Sequence, residues 1–115
     1  MTNTINHYRK INGKPPIVYS SKLSKAALIQ SQYQKNGDAL THSNNDLGSL
    51  RLRINAIGKT CTLCAENVAW GQRDVKEVME SWYKSPGHKK NILSDTTEYG
   101  FAKVGDYWTQ VYNRE

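Results

Sequence analysis

The chain has 115 residues, 37% of them hydrophobic, and 16 Lys and Arg against 10 Asp and Glu give it a net charge of +6. That length predicts one domain over residues 1–115, burying roughly two thirds of the surface its unfolded chain exposes, and no run reaches the ~20 apolar residues of a membrane span. The basic residues are dispersed, with no helix-turn-helix, zinc-finger or aromatic RNA-binding pattern beside them, so the charge points to anionic lipid head groups or wall polymers and not to nucleic acid.

Thr4 to Ile11 is predicted as a first helix, closed by Gly13 and the Pro15-Pro16 pair. A second helix starts at a Ser20-Ser21 cap, buries Leu23, Ala26, Ala27 and Tyr33, and ends at Asn36-Gly37. His42 follows in the loop from Leu40 to Asn44. Asp46 is the predicted cap of a third helix, in which Leu47, Leu50, Ile54 and Ile57 keep a helical spacing up to Gly58. Asn67 to Trp70 is a short apolar strand stopped by Gly71, with Glu66 at its entrance, where a partly buried carboxylate needs a partner. Asp74 and Glu77 have capping-box spacing at the start of a fourth helix that buries Val75, Val78, Met79 and Trp82. The helix runs into Ser85-Pro-Gly-His88, read as a fixed corner that presents the His88 imidazole. Tyr99 to Val104 and Tyr107 to Tyr112 flank Gly105-Asp106, a two-residue hairpin signal. Trp70, Trp82 and Trp108 are all read as core. Helices first and a hairpin last predict an α+β fold with a small sheet covered by helices.

Cys61 and Cys64 are the only cysteines. A disulfide is the favoured reading, which suits a secreted setting, and free thiols are the second. A Cys₂His₂ zinc site with His42 and His88 matches no standard finger spacing, and no βαβ pattern supports a thioredoxin-like pair. No signal peptide precedes the first helix, which leaves a cytoplasmic protein or the mature form of a secreted one.

Several motifs, in order, carry a family likeness: Ile5-Asn-x-x-Arg9 with Gly13-x-x-Pro16, Thr41-His-Ser43, Ala65-Glu-Asn-Val-Ala-Trp-Gly71, Trp82-x-x-Ser-Pro-Gly-His-x-x-Asn-Ile-Leu93 and Trp108-Thr-Gln-Val111. Together they resemble the CAP superfamily of cysteine-rich secretory, antigen 5 and pathogenesis-related (SCP-like) proteins, and its microbial branch in particular. The resemblance implies an α-β-α sandwich with a three-stranded antiparallel sheet between helical layers. It also implies a cleft where animal and plant members gather two histidines and two glutamates that bind a divalent cation such as zinc.

Residue by residue, the first histidine carries over to His42 and the first glutamate to Glu66. Ser85 stands where the second glutamate is usual and Tyr107 where the second histidine is usual, while His88 belongs to the microbial pattern. The resemblance thus implies a reduced metal-capable cleft of His42, Glu66 and His88, flanked by Ser85 and Tyr107, with no cofactor required. It implies a secreted binding module for a lipid or sterol, or for an anionic membrane or cell-wall surface. Two alternatives stand beside it: a zinc-assisted hydrolase with Glu66 as base, and an interaction domain in which the polar residues only fix the loops.

Overall fold

A computed structural model describes residues 1–42 and 49–115; the predicted cap Asp46, Leu47 and the Ser43 of the histidine loop lie outside the described residues. Along the chain come α1 (Thr2–Ile11), β1 (Val18–Tyr19), α2 (Ser21–Gly37), α3 (Leu50–Ala56), β2 (Leu63–Trp70), α4 (Val75–Lys84), α5 (Pro86–Ile92), β3 (Glu98–Val104) and β4 (Tyr107–Arg114). The sheet has the order β1-β3-β4-β2. Its body is antiparallel, with Glu66 opposite Val111 and Gly100 opposite Val111 on the other side. The two-residue β1 adds a short parallel edge on β3, too brief to leave a pattern in the sequence.

Alternation along the strands sends successive side chains to opposite faces, and each face has its own core. On one face Ile5 of α1, Val78, Met79 and Trp82 of α4 and Ile92 of α5 pack on Ala69, Tyr99, Trp108 and Tyr112. On the other, Leu23 and Ala27 of α2 and Ile54 of α3 pack on Cys61 and Val111. The layers are therefore helix, sheet, helix, as the resemblance implies. Among the described residues no helix is long and apolar enough to cross a membrane.

Local chemistry explains the boundaries. Ser20 accepts from Leu23 N–H and Asp74 from Glu77 N–H, so both predicted caps form. The Glu77 carboxylate does not complete the capping box but accepts from Arg73 Nε. Helix α3 takes its cap from Ser49, whose hydroxyl accepts from Leu52 N–H. The predicted Ser85–His88 corner is instead helical: Ser85 ends α4 and caps α5, Pro86 sits at the first helical position where its missing N–H costs nothing, and His88 lies within the turn. At Gly100 the α2 backbone approaches so closely that an added Cβ would sit 2.2 Å from Ser24 N.

Polar side chains do much of the internal fastening. The buried face of α2 includes Gln30, Ser31 and Gln34, while Tyr33 is only half-buried. Ser31 Oγ and Gln34 Nε2 donate to Thr109 Oγ1 at 2.8 and 3.1 Å. The fully buried Arg9 donates from Nε to Pro15 O, from Nη1 to Ile92 O and Ser94 O, and from Nη2 to Thr96 O. Cys61 and Cys64 are joined in a disulfide at the entry to β2.

Candidate functional site

The site is built around β2, an edge strand of the sheet. Glu66 lies mid-strand on the α2–α3 face, its side chain only 3% exposed. A carboxylate this deep needs compensation, and the local sequence supplies it twice. Arg53 of α3, fully buried, donates from Nη1 to Glu66 Oε2 at 2.5 Å and from Nη2 to Oε1 at 3.0 Å, the two-pronged geometry that suits guanidinium and carboxylate. His42 Nδ1 stands 3.0 Å from the same Oε1.

The histidine is aimed by the residue before it. Thr41 N–H donates to Gln34 Oε1, and Thr41 O accepts from Gln30 Nε2, so two glutamines of α2 fix the loop as it leaves the helix. Arg53 Nη2 also reaches His42 O at 3.4 Å. The imidazole remains 57% exposed at the end of this chain of contacts. With Nδ1 committed to Glu66, its other ring nitrogen is the one left toward solvent.

On the opposite face, Asn67 ties β2 to α5. Its Nδ2 donates to His88 O and to Gln110 Oε1, and its Oδ1 accepts from Asn91 Nδ2. Asn91 Nδ2 also reaches Glu66 O, and Trp82 Nε1 donates to Val68 O. These two carbonyls belong to the free side of an edge strand, so side chains from α4 and α5 satisfy what another strand would otherwise take.

Beside this covered edge lies a cleft of about 320 Å³. Leu40, Val68, Ala69 and Trp70 form its apolar wall, and Ser81, Trp82, Ser85 and His88 close it from the α4–α5 side. Trp82 and Trp108 are buried as predicted, but Trp70 is 58% exposed and stands at the mouth with the half-exposed Leu40, which corrects its reading as core. The His88 imidazole is held below its ordinary pKa first by burial and then by the charge of nearby His42. Such a group stays neutral at pH 7 and can donate and accept at once.

The five predicted site residues thus divide. His42 and Glu66 are in direct contact, and Ser85 and His88 line the cleft next to them. Tyr107 does not line it: the ring is buried and its hydroxyl donates to Asp38 Oδ1 at 2.9 Å. Among the described residues no group of three or more His, Cys, Asp and Glu side chains is placed to hold a metal ion. Among the described residues the four-ligand zinc site of the family pattern is not met: Ser85 and Tyr107 stand at two of its positions, Tyr107 is turned to Asp38, and Glu66 is already neutralised by the buried Arg53. Arg53 was missed in the sequence, although it falls between Leu50 and Ile54 on the inward stripe of its helix. Asn67 and Asn91 belong to the Ala65–Gly71 and Trp82–Leu93 motifs, and their role is the polar contact that ties β2 to α5.

Comparison with known proteins agrees with this architecture. The CAP family model, described as the cysteine-rich secretory protein family, matches residues 2–112. The chain is 32% identical over 110 residues to the uncharacterized protein YkwD of Bacillus subtilis, covering 93% of this chain and 43% of that protein. It is similar, at TM-score 0.91 and 25% identity, to an extracellular SCP-domain protein of Bacillus anthracis, covering 96% of this chain and 38% of the other. It also shares a fold with an outer surface protein of Borrelia burgdorferi, at TM-score 0.89 and 20% identity, covering 99% and 89%. The chain spans less than half the length of the Bacillus proteins it matches.

Proposed function

We propose, for a chain that belongs to the CAP, cysteine-rich secretory protein family, a role as a binding domain outside the cell that takes the apolar part of an anionic lipid into the cleft beside β2. The observation that carries this reading is the exposure of Trp70 at the mouth of that cleft, with Leu40, Val68 and Ala69 continuing the apolar wall. A cleft of about 320 Å³ is at the small end of ligand sites, which run from about 300 to 1,000 Å³, so it suits a chain segment or a ring more than a whole large ligand. Ser85 and the neutral His88 offer hydrogen bonds from the α4–α5 side, opposite the apolar wall, where the polar end of such a ligand can pair. The net charge of +6 favours approach to an anionic surface. The extracellular and outer-surface descriptions of the structural neighbours are consistent with that location.

Co-sedimentation with vesicles, with and without anionic lipid or sterol, tests the reading alongside tryptophan emission. Binding to anionic vesicles with a blue shift, both weakened at least tenfold by Trp70→Ser, is expected. Equal retention of the wild type and Trp70→Ser, or no retention on any vesicle, rejects the cleft as a lipid site.

A further inference from the structure

We infer that Arg53 is the resident cation of the His42–Glu66 pair, so that a divalent ion is excluded from the position where the family pattern would place one. The pair alone does not decide between metal and no metal. A nitrogen and an oxygen 3.0 Å apart are close enough to ligate one zinc, whose bonds to each are about 2.0–2.2 Å. Arg53 decides it. The guanidinium is fully buried, on a helix whose neighbouring Ile54 is packed in the core with Leu23, Ala27 and Val111. It donates to both carboxylate oxygens, and Oε1 also meets His42, so a divalent ion on this carboxylate would be held against a permanently charged, buried guanidinium that already neutralises it.

The same contact gives Arg53 a positioning role. It fixes the carboxylate plane, the carboxylate fixes His42 Nδ1, and Arg53 Nη2 holds the His42 carbonyl from the other side. A metal would fix the histidine by taking its lone pair. The guanidinium does so through Glu66 and leaves the imidazole able to exchange a proton or accept a hydrogen bond from a ligand. This inference does not depend on what the cleft binds.

Chelator-treated wild type, titrated with zinc by calorimetry and with cobalt(II) by visible absorption, is expected to show no one-equivalent binding and no tetrahedral cobalt band. Zinc is expected to leave its melting temperature unchanged. Arg53→Met, which keeps length but removes charge and donors, is expected to gain zinc affinity at least tenfold, and Arg53→Met/Glu66→Gln to lose that gain. One zinc bound by the wild type and abolished by Glu66→Gln or His42→Ala overturns the inference, as does a folded Arg53→Met that gains nothing. If Arg53→Met does not fold, imidazole nitrogen NMR of the wild type decides. A His42 spectrum in the Nδ1–H form and unmoved by one equivalent of zinc supports the inference, and zinc-induced shifts of its nitrogens refute it.

Discussion

Replacing Glu66 by alanine should be among the most damaging single changes to this fold. Breaking one side of a buried ion pair leaves the other charge desolvated and costs about 3–5 kcal/mol. The geometry puts this pair in that range: Arg53 is fully buried, the Glu66 side chain is 3% exposed, and two hydrogen bonds join them. Against a total stability on the order of 5–15 kcal/mol, that is a large fraction. For a domain of this size it corresponds to a fall in melting temperature of roughly 10–25 °C. Removing both charges in Arg53→Met/Glu66→Leu should recover most of the loss, because the desolvation cost disappears with the attraction. Urea titrations of wild type, both single variants and the double variant give the coupling energy directly. A Glu66→Ala loss under about 1 kcal/mol, or a double variant no more stable than the worse single one, would refute the reasoning.

Gly100→Ala should cost at least about 1–3 kcal/mol by overpacking, since its methyl would meet α2 backbone and not a movable side chain; thermal melts check this. Reducing the Cys61–Cys64 disulfide should lower stability by only about 2 kcal/mol, the loop-closure contribution for so short a ring, measured by denaturant titration with and without dithiothreitol. Iodide should quench part of the tryptophan emission, and Trp70→Phe should remove most of that quenchable part, because Trp82 and Trp108 are buried. His88, its pKa depressed in the fold, is protonated first in the unfolded chain. Its contribution is therefore complete above its ordinary value of 6.5 and is lost as pH falls toward the folded value; His88→Gln should flatten the stability profile in that window.

The sequence made the elements with strong local chemistry readable: the Ser20 and Asp74 caps, the Gly105-Asp106 hairpin, and the apolar stripe ending at Trp82. It also made Glu66 conspicuous, as a carboxylate entering an apolar strand, and so predicted a partner without saying which. The partner was hidden because an arginine in a short helix ordinarily reads as solvated surface. Leu50, Arg53, Ile54 and Ile57 nevertheless share one helical face, and that position was the available signal. Gln30, Ser31 and Gln34 escaped for the same reason: periodicity counts apolar residues, and these polar ones are buried by bonds to Thr109 and Thr41. Trp70 erred in the other direction. Residue type suggested core, but its place at the end of an edge strand leaves it at the cleft mouth.

The Arg9 cluster bears on how the chain reaches this state during synthesis. Three of the four carbonyls that hold its guanidinium lie 83 to 87 residues downstream. A nascent chain carrying only the first helices offers that arginine one of its four carbonyls, Pro15 O, so α1 gains its final seat when the segment after α5 has emerged. The N-terminal helix is therefore locked late, and the domain is expected to mature as one cooperative unit rather than in sequential pieces. A ribosome-stalled chain ending before Ile92 should leave α1 open to protease, and one extending through β4 should protect it.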